Sequence, residues 1–307
     1  MIRVEGLTKT FGDFTALDNV TCTISDGSVC GMVGSNGAGK STLLRLIAGV
    51  YKSDKGSIFI DDMPVWDNPL AKSKMVYVPD ELYFIPGATI NKMSDLYRSI
   101  YPAFDIDRCH YLAETLKLDE RKNISTFSKG MKRQVSTILA LSAKTDYLFF
   151  DETFDGFDPV IRNFVKGLIC QDVLERNVTA IITSHSLREL EDVCDKLALL
   201  HKGGLILQSD IENLKTSHFK VQIAFPYDYD ETLFSDIEHI RFKKSGSVSS
   251  MIIKGKIDET EVLLKAKNPV ICDILPLTLE EVFSYEMETL EYNFDAVLSE
   301  MEVENNE

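Results

Sequence analysis

The sequence predicts an α/β fold, and three observations carry that expectation. The apolar run Val29–Val33 reads as a buried strand feeding a glycine-rich loop, GSNGAGKST at 34–42, with an apolar helical face of Leu43, Leu44, Leu46 and Ile47 directly behind it. Apolar runs at 147–150, 178–183 and 196–200 then alternate with helical stretches at 159–175 and 187–194, the pattern of a parallel sheet covered on both faces. Between residues 86 and 145 the pattern is helical without a convincing strand, which reads as a helical subdomain inserted into that sheet.

In chain order, residues 2–4 and 16–24 read as short strands and Asp26-Gly27 as a turn. The helix behind the glycine loop stops at Gly49, a usual C-terminal cap, and 56–60 reads as another strand. Within the helical interval Met131, Val135, Ile138, Leu139 and Ser142 keep helical spacing, which puts the segment FSKGM at the start of that helix. A hairpin through Lys202-Gly203-Gly204 closes this part of the chain. From about Thr216 the texture changes: Phe219, Val221, Ile223 and Phe225 alternate as in a half-buried strand, and further strands are expected at 251–253 and 270–274. The expected organisation is a domain at 1–215 with its helical subdomain at about 86–145, a small α+β domain of βαββαβ type at 216–285, and an acidic tail at 286–307.

The length of 307 residues fits a domain of roughly 200 residues followed by a smaller one. No apolar run approaches the roughly 20 residues that cross a bilayer, and no signal peptide is recognisable, so a cytoplasmic location is expected. The six cysteines, Cys22, Cys30, Cys109, Cys170, Cys194 and Cys272, are scattered without a C-x-x-C pair, the usage of buried thiols in a reducing compartment. A formal charge of −15 argues against a general nucleic-acid binder. Much of that charge is terminal, because no Lys or Arg follows Lys267, and a solvated acidic face is the plain reading of it.

Four segments carry chemistry in a fixed order: GSNGAGKST at 34–42, FSKGMKRQ at 127–134, FFDE at 149–152 and TSH at 183–185. The first matches G-x-x-x-x-G-K-[ST], the phosphate-binding loop. Its residues Gly34, Ser35, Asn36, Gly37, Ala38 and Gly39 turn backbone N–H groups toward phosphates at a helix N-terminus. Lys40 is expected to reach the β and γ phosphates, Ser41 to ligate Mg²⁺ and Thr42 to hold the α-phosphate side. Asp151 and Glu152 emerge at the carboxyl end of a buried strand, where open α/β sheets bind ligands. Asp151 is expected at the magnesium and Glu152 as the general base that polarises the attacking water. His185, at the end of another buried strand, is placed to bridge the γ-phosphate and Glu152. The combination predicts binding and hydrolysis of ATP.

The segment FSKGM resembles the signature loop of ATP-binding-cassette (ABC) ATPases, and the resemblance covers about residues 1–214. It implies a P-loop NTPase fold of the ABC type, with an antiparallel β subdomain beside the helical one. It also implies a head-to-tail dimer, homomeric or heteromeric, in which Ser128 and Gly130 of one subunit contact the γ-phosphate held by the other. By the same resemblance Phe11 stacks on adenine, Asp158 belongs to the loop coupling the two sites, and Asp80 stands where the family usually has a metal-ligating Gln. Lys129 and Met131 also depart from the usual signature. The combination of VYVPDE, SIYPAFD, FSKGMKRQ, SHSLRELEDVCDKLALLHKGGLIL and LTLEEVF resembles the ATPase subunits of bacterial exporters in the bacitracin and lantibiotic export group. That implies a separate membrane permease, a position on the inner face of the membrane, and a docking surface drawn from Tyr83, Phe84, Tyr97 and Tyr101. A soluble non-transport ABC ATPase and an ATP-sensing module are the alternatives. The paired cassettes, basic linkers or long coiled coils of the first are absent, and the second is disfavoured by the presence of both Glu152 and His185.

Overall fold

Two sheets form from the strands of the first unit, Met1–Gln208, in a computed structural model that describes residues 1–289. The elements run β1 (Ile2–Phe11), β2 (Phe14–Ile24), β3 (Val29–Val33), α1 (Lys40–Ile47), β4 (Lys55–Ile60), β5 (Met63–Pro64), α2 (Pro69–Ser73) and β6 (Met75–Val78). They continue through α3 (Ile90–Ile100), α4 (Ile106–Thr115), α5 (Lys129–Ser142), β7 (Tyr147–Asp151), α6 (Pro159–Arg176), β8 (Thr179–Ser184), α7 (Leu187–Glu191), β9 (Lys196–His201) and β10 (Gly204–Asp210).

The central sheet has the order β10-β9-β3-β8-β7-β6, with β9, β3, β8, β7 and β6 paired in parallel. Strands β3, β7 and β8 are buried at every position, which is why they read as unbroken apolar runs rather than alternating ones. The second sheet, β2-β1-β4-β5, is antiparallel. Its inward residues Ile2, Val4, Leu7, Leu17, Val20 and Ile24 pack with Leu43, Leu44 and Ile47 of α1 and with Met32 and Phe149 of the central sheet in one core. That core fixes α1, and so the loop before it, against the strand ends.

Several expectations change here. The first strand extends from Ile2 to Phe11 rather than ending at Val4, because its pairing with β2 continues to a two-residue turn at Gly12 and Asp13. The helix expected at 187–194 ends at Glu191. The short parallel strand β6 was not anticipated. Helix α1 does end as expected: Ala48 caps it and Gly49 follows at φ 64°, a left-handed position suited to glycine.

The second unit, from Ser209 onward, comprises α8 (Ile211–Ser217), β11 (His218–Ala224), β12 (Arg241–Ser245), β13 (Val248–Lys254), α9 (Ile257–Ala266), β14 (Ile271–Pro276) and α10 (Leu279–Thr289). Its sheet is antiparallel with order β12-β13-β11-β14, over a core of Phe219, Val221, Ile223, Phe234, Met251, Ile253 and Leu264. The order is that of a βαββαβ unit in which a 3₁₀ turn, Glu231–Phe234, stands in for the first helix. The tail expected at 286–307 lies outside the described residues from position 290. All six cysteines are free, and Cys22, Cys30, Cys109 and Cys194 are buried.

Candidate functional site

A cavity of about 370 Å³ lies at the carboxyl ends of β3 and β7, lined by residues 36–42 of the glycine loop together with Phe14, Ala16, Asp80, Glu152, Asp155 and His185. The loop requires glycine at Gly39, where φ is 104° and an added Cβ would come within 2.7 Å of the Ala16 carbonyl oxygen. Gly34 and Ser35 lie behind the cavity and their carbonyls hold the lysine: Lys40 Nζ donates to Gly34 O at 2.6 Å and Ser35 O at 3.2 Å. The same ammonium group, buried, stands 3.5 Å from Glu152 Oε1. Lys40 is therefore pinned at the centre of the loop with a carboxylate opposite it.

Asp151 is fully buried at the end of β7. Ser41 Oγ and Thr183 Oγ1 each donate to its Oδ1 at 2.8 Å, and the Tyr77 hydroxyl donates to Oδ2 at 2.9 Å. Burial and the Asp151 charge push the Tyr77 phenol well above its ordinary range, so it stays protonated as the donor. Glu152 follows with φ 47°, a left-handed backbone, and its N–H donates to Thr183 Oγ1 at 2.9 Å. Thr183 thus holds both acids of the pair, and Tyr77 and Thr183 are site residues that sequence reasoning did not assign. Thr183 was inside the TSH motif and Tyr77 inside VYVPDE, so the signal was present but unread.

His185 Nδ1 lies 3.1 Å from Glu152 Oε2 and 3.6 Å from Asp155 Oδ2. The hydrogen bond to Glu152 outweighs burial and, with the Asp155 charge, pushes the imidazole up to about 9. Burial acts to raise the Glu152 carboxyl, but the His185 hydrogen bond and the Lys40 and His185 charges together hold it below its ordinary value. Asp155, by contrast, is pushed up to about 6, first by burial and then by the Glu152 charge.

Asp155 yields a stability prediction. Its folded-state value lies above its ordinary 3.8, so the ionised form disfavours the fold; the penalty is absent below 3.8 and complete above about 6. Asp155→Asn is expected to raise Tm at pH 7.5, and the gain disappears as pH falls toward 3.8. Thermal unfolding of both proteins across that range checks it, and an equal gain at every pH would assign the effect to another cause.

Two groups of donors could receive a cation. Ser41 and Asp151 offer hard oxygens 2.8 Å apart beside the phosphate loop, the donor chemistry that suits Mg²⁺. Glu152, Asp155 and His185 bring one ligand atom each within 4.8 Å of one another, but a protonated His185 paired with Glu152 offers no free nitrogen to a metal. Asp80, expected at the metal, lines the cavity and pairs its Oδ1 with Arg133 Nη2 at 2.5 Å.

Phe11, Ser128, Gly130 and Asp158 are not among the residues lining this cavity. Phe14, not Phe11, lines the cavity: the hairpin turn leaves the Phe11 ring edge-on to Tyr51, 5.6 Å between centroids, with Lys9 over its face. Ser128 caps α5, its hydroxyl accepting from Met131 N at 3.2 Å, and Ser128 and Gly130 lie outside the cavity. Asp158 caps α6 by accepting from Val160 N and Ile161 N. Of the four aromatics expected at a docking surface, Tyr83 is 79% exposed, whereas Tyr97 packs on Tyr101 and Phe104 inside the helical subdomain.

A phosphate-binding loop, a buried Asp followed by Glu, and a His facing that Glu, all at one end of a parallel sheet, define a nucleoside-triphosphate hydrolase of the P-loop class. The comparisons narrow the class. The family model described as ABC transporter matches residues 17–155. The ABC transporter ATP-binding protein YtrB of Bacillus subtilis (strain 168) is 32% identical over 284 residues, covering 92% of this chain and 97% of that protein. The bacitracin transport ATP-binding protein BcrA of Bacillus licheniformis is 28% identical, over 72% of this chain and 73% of its own length. Among solved structures, an ATP binding subunit of an ABC transporter superposes with a TM-score of 0.65 at 23% identity, over 70% of this chain and 91% of that one. The chain belongs to the family of ABC transporter ATP-binding proteins, as an ATP-hydrolysing nucleotide-binding subunit.

Proposed function

We propose that this chain powers bacterial export: ATP closes a head-to-tail dimer of two such subunits, hydrolysis reopens it, and a separate membrane permease is driven by the cycle. The observation that carries the reading is the division of the site. One cavity gathers Lys40, Ser41, Glu152 and His185, while Ser128 and Gly130, at the start of α5, lie away from it, as half-sites completed by a second copy would. Export is favoured by the names of similar proteins, among them the bacitracin transport protein BcrA and the linearmycin resistance ATP-binding protein LnrL of Bacillus subtilis (strain 168).

Within the site, Lys40 meets the β and γ phosphates and Glu152 takes the proton of the attacking water. Held below its ordinary range, the Glu152 carboxyl is ionised and ready to accept it. His185, charged and bonded to Glu152, orients that carboxylate and faces the γ-phosphate. Ser41 and Asp151 would hold Mg²⁺, which neutralises phosphate charge during transfer. Phe14, which lines the cavity, joins Phe11 as a candidate for the aromatic ring that stacks on adenine. We assign the ATPase domain to Met1–Gln208 and a separate domain to the chain from Ser209, a boundary a few residues before the one expected at 215.

No helix among the described residues is long and apolar enough to cross a membrane, so the inner-face position proposed for the chain depends on the permease. Affinity isolation of the full chain from detergent-solubilised membranes is the test. Recovery with an apolar multi-span partner that raises its ATPase rate is the expected result; recovery without one would defeat the transport role.

A further inference from the structure

Arg133, on α5, sits at a junction with the end of β7 and the loop after β6. Its guanidinium is buried and forks: Nη1 donates to the main-chain carbonyl of Glu152, and Nη2 is paired with Asp80. Glu152 occupies the left-handed region that residues with a Cβ rarely adopt. Its peptide groups are held on both sides, the N–H by Thr183 Oγ1 at 2.9 Å and the C=O by Arg133. Thr183 is rooted in the central sheet and cannot readily move. The other anchor is different, because Asp80 lies on the loop following β6, which also carries the exposed side chains of Tyr83 and Ile85.

We propose that Arg133 is a positioning residue that aims Glu152, and that Asp80 holds Arg133 in place, so that movement of the loop at 79–87 changes the direction of the Glu152 carboxylate. Asp80 then acts on the reaction through an ion pair and a main-chain hydrogen bond rather than through metal. A planar guanidinium suits the task, since it presents two N–H groups in fixed divergent directions, which an ammonium group does not. Burial of Arg133 strengthens both contacts, and loss of either partner leaves its charge poorly compensated.

The inference rests on Glu152 as the general base, and the two can fail separately. The test uses the full chain with steady-state ATP hydrolysis and equilibrium binding of a non-hydrolysable ATP analogue. Arg133→Met is expected to lower kcat by about tenfold or more while analogue affinity stays within about twofold, the signature of lost aim rather than lost binding. Arg133→Lys keeps a charge opposite Asp80 and recovers part of that loss. Asp80→Asn, at a carboxylate exposed enough to tolerate the change, lowers kcat less, leaves the Mg²⁺ requirement unchanged, and adds nothing in the Asp80→Asn/Arg133→Met double variant.

Multiplying effects in the double variant, or a raised Mg²⁺ requirement in Asp80→Asn, would overturn the proposal. If Arg133→Met does not fold, the Asp80→Asn kcat and Mg²⁺ results decide alone. Loss of turnover in Glu152→Gln with normal kcat in Arg133→Met and Asp80→Asn would defeat only this inference; normal turnover in Glu152→Gln would defeat the base assignment itself.

Discussion

Glu152→Gln is expected to abolish ATP turnover while leaving nucleotide binding intact. The amide matches the carboxylate in size, so the left-handed backbone and the Thr183 contact to the N–H survive. What disappears is the negative charge that accepts the proton of water and that faces Lys40 at 3.5 Å and His185 at 3.1 Å. General-base catalysis contributes on the order of 10²–10⁴ in rate, and turnover should fall by that much. Because closure by ATP outlasts a step that no longer occurs, the variant should elute as a dimer with ATP and as a monomer with ADP. Rates measured on purified protein and size-exclusion chromatography check both halves. Turnover at the wild-type rate would remove Glu152 from the chemistry.

Lys40→Met acts earlier, on binding. The ammonium group is buried and held by two loop carbonyls, so it meets the phosphates without reorganisation. Removing it leaves His185 as the positive charge facing Glu152 in the cavity and takes away the one aimed at the ligand. Truncating one partner of a buried charge pair weakens binding by about a hundredfold or more. Equilibrium titration with ATP measures it directly. Lys40 also helps hold the Glu152 carboxyl down, so the variant's Glu152 should titrate at higher pH than in the parent. Affinity unchanged by the substitution would mean that the loop binds phosphate through its backbone alone.

The parts of this site that were legible in the sequence are those fixed by local chemistry. Gly39 and Lys40 belong to one loop, Asp151 and Glu152 to one strand end, and His185 to another, so each could be placed by the strand before it. Residues brought in by tertiary packing were not legible. Arg133 reads as an ordinary position on α5 until Asp80 and the Glu152 carbonyl arrive from two other elements. Tyr77 had no recognised role because β6 is four residues long and followed closely by Pro79. Phe11 and Phe14 differ only in which side of a two-residue turn they occupy, and hairpin register decides which one meets the cavity. In the second unit β12 was missed because its Lys-rich sequence is half exposed and carries little apolar periodicity.

The cysteines bear on how such a dimer can be watched. Burial pushes the Cys22 thiol up to about 11 and Cys30 to about 12, holds Cys194 well above its ordinary value, and also raises Cys109, Cys170 and Cys272. Thiolate is the reactive form, so the four buried thiols, Cys22, Cys30, Cys109 and Cys194, react slowly with maleimides near neutral pH, and the partly exposed Cys170 and Cys272 are the two to replace first. A spin label or fluorophore introduced on a new surface cysteine can therefore report the opening and closing of paired subunits against a quiet background, without rebuilding the core to remove its own sulfur.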